Sequence, residues 1–234
     1  MPSDQSHDAN IVILGLEASG EHASVSVVAD GQILAELRND ARHGHASYFT
    51  MMAADCLAQA KLGFADIGLI AAGVGPGSFT GLRVCLAAAH GFALSRDIDA
   101  VGIHGLRARA FSYLRHLPSS HLVPDRLIAC ADTRRGAYFY QPYDKHLQQV
   151  GDIAEIAIDN LAELPKMAPL SDSVILLPPD SAIDEGNHQK KIMMNASDIA
   201  LLAHHDRENN VPSLSLDPLY VAPPKLGATS QPKS

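Results

Sequence analysis

The sequence predicts an α/β fold in which short strands alternate with helices. Segments 23–29 and 32–37 are separated by Asp30-Gly31, a two-residue turn signal, which predicts a β-hairpin. The apolar run 69–74 has the length and composition of a buried strand. A glycine-rich loop joins that run to an alanine-rich segment that is long enough to form a helix. These three observations indicate an α/β protein.

The hydrophobic pattern predicts the elements of the first half in chain order. Strands are expected at 11–16, 23–29 and 32–37, then a helix at 45–61, a strand at 69–74, a helix at 81–95, a strand at 100–103 and a helix at 106–117. The helix that begins near Gly81 can be capped by Ser78 or Thr80, because a hydroxyl oxygen there accepts a hydrogen bond from an unpaired N–H group.

The second half has a weaker pattern, which prolines interrupt at positions 165, 169, 178 and 179. Strands are expected at 127–131, 137–140 and 174–177, and a helix at 196–205 with Asn195 or Ser197 as its cap. We therefore predict an N-terminal domain over 11–105 and a smaller, divergent domain over 106–222. Disordered tails are expected at 1–10 and 223–234.

Composition narrows the function classes. The chain has 234 residues, 18 of them basic and 26 acidic, for a net charge of −8. Since lysine and arginine supply most of the affinity for nucleic-acid phosphates, we do not expect this chain to hold nucleic acid by itself. Cys56, Cys85 and Cys130 form no Cys-x-x-Cys pair, so reduced thiols in the core are expected. With no membrane-spanning run and no secretory signal in 1–10, we expect a cytoplasmic protein.

The loop before the second helix is the most distinctive motif. It consists of Gly75, Pro76, Gly77, Ser78, Phe79, Thr80 and Gly81, followed by Leu82 and Arg83. Glycine loops at helix N-termini often bind anions. A Walker A motif is excluded because no lysine follows Gly81, and a dinucleotide fingerprint is excluded because Thr80 replaces its third glycine. A tight strand–helix connection and a ligand-binding loop both remain open.

The motif Gly-Pro-Gly-Ser-Phe-Thr-Gly-Leu-Arg resembles the TsaB (YeaZ) family, bacterial accessory subunits in the synthesis of N6-threonylcarbamoyladenosine at position 37 of tRNAs. The resemblance extends to segments 11–28, 42–47, 132–138 and 218–220, and it is dense over 11–140 and thin over 141–217. It implies a ribonuclease-H-like fold of the actin, Hsp70 and sugar-kinase superfamily, with two half-domains that each contain a mixed sheet flanked by helices.

Two positions depart from the family pattern. Glu17-Ala18-Ser19 stands where the family usually has Asp-Thr-Ser, and Val221 follows Tyr220 where the family tends to carry an arginine.

The resemblance makes Glu17 and Asp132 candidates for nucleotide binding, because kinases of this fold place Mg-organising carboxylates at the corresponding points. The alternative is that each residue opens a polar turn. His43 and His45 are the pair comparable to the metal-binding histidines of catalytic relatives. They lack a third ligand at suitable spacing, so we predict no metal site and no cofactor, with ATP and Mg²⁺ expected only at a subunit junction.

Helices 45–61 and 81–95 are apolar beyond one face, which predicts a protein interface. The residues predicted to form it are Tyr48, Met51, Met52, Leu82, Arg83, Leu86 and His90. The resemblance implies that the partner is a TsaD-like catalytic subunit, that a TsaE-like ATPase joins them, and that the chain forms a homodimer when alone.

The implied function is that of a non-catalytic scaffold for threonylcarbamoyl transfer to adenosine 37 of tRNAs that read ANN codons, with tRNA contacted only through the complex. One alternative is an ATP- and Mg-dependent enzyme of the actin-like superfamily that uses Glu17 and Asp132. A ribonuclease-H-type nuclease is a third hypothesis, but Glu17, Asp66 and Asp132 are too loosely placed to support it.

Overall fold

The computed structural model describes residues 11–20, 22–39, 47–164, 172–186 and 188–221. Within these ranges the strands assemble into two five-stranded sheets. The two predicted tails and the pair His43 and His45 lie outside the described residues.

The first sheet is mixed and contains the predicted hairpin. Its strands are β1 (Val12–Glu17), β2 (Ala23–Ala29), β3 (Gln32–Asn39), β4 (Ile67–Gly73) and β5 (Ala100–Ile103), in the order β3-β2-β1-β4-β5. The first three pair antiparallel, whereas β4 is parallel to β1 and to β5. Asp30 and Gly31 have φ angles of 50° and 68°, the two positive values that a type I′ turn requires, so the hairpin is confirmed.

The second sheet repeats the arrangement of the first. It contains β6 (Arg126–Asp132), β7 (Ala137–Tyr143), β8 (Ala154–Ala157), β9 (Ser173–Leu177) and β10 (Gln189–Lys191), in the order β10-β9-β6-β7-β8. Strands β6, β7 and β8 pair antiparallel, and β9 is parallel to β6 and to β10. The chain therefore contains two copies of one half-fold. Only the first copy could be recognised from the sequence pattern.

Helices occupy two layers around the first sheet. Helices α1 (Ser47–Gln59) and α2 (Phe79–Arg96) cover one face of it, and α3 (Gly105–His116) and α4 (Ala196–Glu208) lie between the two sheets. Because helices cover both faces, the inner strands β1 and β4 are buried almost throughout, which explains their nearly continuous apolar sequences. These two mixed sheets with flanking helices confirm the predicted fold class. None of the described helices combines the length and apolar character that crossing a bilayer requires.

Helix α4 follows the second sheet in the chain but packs against the first. Its N-terminus lies against Gly15 of β1, where an added Cβ would stand 2.4 Å from the Ala196 carbonyl oxygen. The N–H of Ala196 donates to the Ser24 hydroxyl at 2.9 Å. Asn195, one of the two predicted caps, forms a capping box with Asp198. The division into domains at residue 106 stays a prediction, since α4 ties the C-terminal half to the first sheet.

Helix α2 begins two residues earlier than expected, and two of its predicted interface residues lie in the core. Ser78 is the cap, and its hydroxyl accepts a hydrogen bond from the N–H of Gly81 at 3.2 Å. Leu82 and Leu86 point inward and are only 1% and 4% exposed. The prediction that these two leucines contact a partner is therefore corrected, because their side chains are already covered by this chain's own sheet.

Replacing Leu86 with alanine should destabilise the fold by about 2–5 kcal/mol, because it leaves a cavity among buried apolar side chains. Leu94 lies on the same helix and is 82% exposed, so Leu94→Ala should change the free energy of unfolding by less than about 0.5 kcal/mol. Urea denaturation of both variants measures the difference. Equal losses would show that Leu86 is not packed in the core.

Candidate functional site

The glycine-rich loop is packed against the turn that follows β1. A Cβ at Gly77 would lie 2.2 Å from the carbonyl oxygen of Ser19, and one at Gly81 would lie 2.0 Å from that of Ala18. The N–H of Ser78 donates to the Ser19 carbonyl at 2.7 Å. Gly77 and Gly81 are therefore needed for backbone contact within the chain, which supports a tight strand–helix connection over a ligand cradle.

The start of the same loop contacts helix α3. Gly75 has a φ of +92°, which favours glycine, and its carbonyl oxygen accepts a hydrogen bond from the N–H of Gly105 at 2.7 Å. The loop thus joins β4 to the first turns of both α2 and α3.

A narrow cleft lies between this loop and the second half of the molecule. Its walls include Ser19, Gly77, Arg109, Asp132 and Pro179. The free space measures about 40 Å³. Ligand pockets usually offer about 300–1,000 Å³, whereas one water needs only about 10–15 Å³. In this conformation the cleft has room for a few water molecules and not for a nucleotide.

Glu17 is buried at the end of β1 and is not among the residues that line the cleft. One carboxylate oxygen accepts hydrogen bonds from the backbone N–H and the hydroxyl of Ser19. The other oxygen, Oε2, has no hydrogen-bond partner in the described part of the chain and occupies the place where a side chain at Gly73 would start, 1.8 Å from the ideal Cβ. Glu17 therefore sits inside the first half, behind Ser19 of the cleft wall.

Burial controls the ionisation of Glu17. Desolvation raises the pKa of its carboxyl above the ordinary 4.5, although the hydrogen bonds from Ser19 and the charge of Arg109 act in the opposite direction.

Arg109, which the sequence analysis did not select, is a buried cation beneath the cleft. Its guanidinium donates to the carbonyl oxygens of Ile192 and Leu177, and it is 6% exposed. It therefore ties α3 to the second half of the molecule. The burial of Arg109 could have been predicted from its spacing. It follows Leu106 by three positions, and residues at this spacing lie on the same face of a helix.

Asp132 lines the cleft but is engaged in a turn. Its carboxylate accepts a hydrogen bond from the N–H of Arg134 at 2.6 Å and lies 3.7 Å from the Arg134 guanidinium. That guanidinium also pairs with Asp180 at 2.6 Å. Asp132 thus has the turn-opening role that was the alternative to nucleotide binding. Among the described residues, no three His, Cys, Asp or Glu side chains come close enough to form a metal site.

An exposed apolar face remains on the outer helices. We define the α1–α2 face by the exposed residues Tyr48, Met51, Phe79, Arg83, Ala87, His90, Gly91 and Leu94. On α2 these residues follow helical spacing, so they form one continuous stripe. Met51 is 60% exposed and Leu94 82% exposed, whereas Met52 is half-buried. Of the residues predicted to contact a partner, Tyr48, Met51, Arg83 and His90 lie on this face, and their contact with a partner stays a prediction.

The fold and the cleft define the class of the protein: an actin-like α/β protein whose two half-domains share one strand order. The family model of TsaD, described as tRNA N6-adenosine threonylcarbamoyltransferase, matches residues 37–202, and the chain belongs to this family.

Curated relatives carry the names that the sequence motif suggested, which confirms the resemblance. The chain is 29% identical to the "tRNA threonylcarbamoyladenosine biosynthesis protein TsaB" of Escherichia coli over 133 residues, 57% of this chain and 55% of that protein. It is 34% identical to the protein of the same name in Haemophilus influenzae over 101 residues, 43% of this chain and 42% of that protein. The chain thus spans about half the length of the curated relatives it matches.

Solved structures support the fold over nearly the whole chain. YeaZ from Pseudomonas aeruginosa superposes with a TM-score of 0.72 at 20% identity, covering 90% of this chain and 100% of that chain. A second structure, with similarity to the peptidase YEAZ from the same organism, gives a TM-score of 0.73 at 21% identity, covering 91% and 100%. The sequence resemblance is thin over 141–217, whereas this structural similarity extends over most of the chain.

Two glycines of α2 provide a matched test of the loop packing. Gly81→Ala should destabilise the protein by about 1–3 kcal/mol, because the new Cβ would collide with the Ala18 carbonyl. Gly91 has open space around it, so Gly91→Ala should stabilise the helix by about 0.5–1 kcal/mol. Thermal unfolding of both variants measures the shift in melting temperature that each substitution causes. Two shifts of the same sign would contradict the close packing of Gly81 against Ala18.

Glu17→Gln should stabilise the protein increasingly as the pH rises above 4.5 toward the folded-state pKa of Glu17. A raised folded-state pKa means that the folded chain binds this proton more tightly than the unfolded chain. Wild-type stability is therefore lost as the pH rises above 4.5 and through the folded-state pKa. Glutamine cannot ionise, so the difference in melting temperature should widen with pH. The control Glu155→Gln removes an exposed carboxylate on β8 and should show no widening difference.

Proposed function

We propose that this chain is a non-catalytic scaffold in the synthesis of tRNA N6-threonylcarbamoyladenosine, and that it binds and organises a TsaD-type catalytic subunit. The curated relatives named TsaB support the pathway. The observation that carries the scaffold role is the exposed α1–α2 face, where apolar and aromatic side chains that would normally be buried face outward.

The composition of this face suits a protein partner. Methionine and tyrosine are enriched in the cores of protein interfaces, and Met51 adds a side chain that adapts its shape to a partner. Small residues at Ala87 and Gly91 lower the surface of α2 along the middle of the stripe, so that another helix can approach closely. A helix from the catalytic subunit would cover these side chains.

The interior of the molecule supports a role without intrinsic catalysis. Glu17 is buried and does not line the cleft, the Asp132 carboxylate accepts a hydrogen bond within a turn, and the cleft has room for only a few water molecules. None of these features favours the alternative of an ATP- and Mg-dependent enzyme.

The other partners follow from the same proposal. A TsaE-like ATPase would join the complex, and the chain alone would form a homodimer by covering the α1–α2 face with a second copy. The net charge of −8 supports contact with tRNA only through the complex. A cytoplasmic location is proposed with this role.

Reconstitution tests the proposal directly. TsaC-, TsaD- and TsaE-type partners are incubated with tRNA, and modified adenosine is quantified by nucleoside mass spectrometry with and without this chain. We expect modification to depend on the chain and to fall at least tenfold with Met51→Glu, because a carboxylate on the α1–α2 face would have to be desolvated on binding.

Control variants distinguish the scaffold hypothesis from the hypothesis of an ATP-dependent enzyme. Leu122→Glu changes a side chain that is 87% exposed outside the α1–α2 face, and it should keep full activity. Glu17→Gln and Asp132→Asn should also keep it. Modification that proceeds equally without the chain would refute the proposal. If the isolated chain bound ATP and Glu17→Gln abolished that binding, the alternative of an ATP- and Mg-dependent enzyme would be supported instead.

A further inference from the structure

We propose that Arg83 determines partner specificity on the α1–α2 face by binding a carboxylate of the partner protein, and that Tyr220 positions the Arg83 guanidinium for this contact. The inference rests on the proposed function, since it names one interaction within the same interface. It begins from two segments far apart in sequence that the fold brings together.

The segment after α4 returns to the first sheet and ends beside the glycine-rich loop. The N–H of Gly102 donates to the Leu214 carbonyl at 2.8 Å, and Leu216 is 6% exposed in the core of the first half. The N–H of Leu219 then donates at 2.8 Å to the carbonyl of Val74, the residue just before the loop. The path of this segment therefore fixes Tyr220 next to the first turns of α2.

Arg83 is held between two aromatic side chains. The Cζ of its guanidinium stands 3.9 Å above the centre of the Phe79 ring, and its Nε donates to the Tyr220 hydroxyl at 3.3 Å. The Phe79 and Tyr220 rings lie 5.5 Å apart. Phe79 and Tyr220 are 40% and 44% exposed, so the cluster is at the surface. An arginine stacked and hydrogen-bonded in this way has lost much of its rotamer freedom before a partner arrives.

The charge of Arg83 is available to a partner. No carboxylate in the described residues lies within ion-pair distance of it, although the described guanidinium groups of Arg107, Arg115 and Arg134 each pair with one. Nε is used by Tyr220, which leaves the two Nη groups as donors. A pair of Nη groups on a planar guanidinium matches the two oxygens of a carboxylate.

The surroundings favour a protein carboxylate over an RNA phosphate. The rest of the α2 stripe consists of Ala87, His90, Gly91 and Leu94, which supply no lysine and no second arginine. RNA binding normally requires several cations, and this chain carries a net charge of −8. A partner helix that carries a single Asp or Glu would suit this surface. The small and apolar residues let the helix approach, and the oriented arginine can bind its carboxylate. Arginine and tyrosine are also the residue types enriched in binding hot spots.

The test measures the dissociation constant for the TsaD-type catalytic subunit by calorimetry at low and high salt. Arg83→Gln should weaken binding about tenfold or more at low salt and should reduce the salt dependence. Arg83→Lys should recover only part of the loss, because an ammonium group keeps the charge but lacks the planar pair of parallel N–H donors that matches a carboxylate. Arg96→Gln removes an exposed cation at the other end of α2 and should leave the affinity unchanged within about twofold.

A double-mutant cycle tests the positioning role of Tyr220. Tyr220→Phe keeps the ring and removes the hydroxyl, so it should weaken binding by a few-fold in the wild-type background. It should have no further effect when Arg83 is already glutamine, because Tyr220 acts through Arg83. Independent effects that multiply would overturn the positioning role, since they would mean that Tyr220 contributes without Arg83.

The outcomes separate this inference from the proposed function. If the wild-type chain does not bind the catalytic subunit, the proposed function fails. If it binds and Arg83→Gln binds equally well, only this inference fails. The inference is also overturned if Arg83→Gln changes only self-association in sedimentation experiments, or only the affinity for tRNA, since the occupant would then be a second copy or an RNA.

Discussion

The close contact between the glycine-rich loop and the turn after β1 fixes the positions of the elements around it. At Gly77 and Gly81 the backbones meet at distances that leave no room for a side chain. This contact sets where α2 begins, because Ser78 both donates to Ser19 and caps the helix. The helix then turns Leu82, Cys85, Leu86 and Ala89 toward the core and leaves the stripe that includes Arg83 exposed.

The same contact gives the molecule an interior unlike that of a nucleotide-binding cleft. The turn after β1 folds over Glu17, whose carboxylate occupies space that Gly73 leaves open. A fully buried carboxyl group avoids most of the desolvation cost when it is neutral. Arg109 lies nearby with its own charge satisfied mainly by backbone carbonyls, so the two halves are joined by α3 and its arginine. Glu17 is thus bonded within the first half, whereas Arg109 connects α3 to the second half.

The proposed function depends on the outer surface of the first half. The α1–α2 face combines exposed apolar side chains with an arginine that is oriented but not neutralised by any carboxylate of the described residues. Holding a charged group in place before binding reduces the entropy lost when the complex forms. The C-terminal segment provides that restraint, because its backbone is bonded to β5 and to Val74 before it reaches Tyr220. The orientation of Arg83 therefore depends on the path of the C-terminal segment.

Features with local signals can be predicted from the amino-acid sequence, whereas the inward or outward direction of a side chain depends on the whole fold. The Asp30-Gly31 turn, the strands of the first sheet, the helix at 196–208 and the family motif at 75–83 all arise from near neighbours in the chain. The second sheet has weaker signals, since short strands such as Gln189–Lys191 carry little apolar periodicity. Leu86 belongs to the core and Met51 to the surface, although both lie on apolar helices, because periodicity does not say how much of a helix the sheet covers. The contact of Arg83 with Tyr220 spans 137 positions, so it is set by the path of the chain and has no local signal.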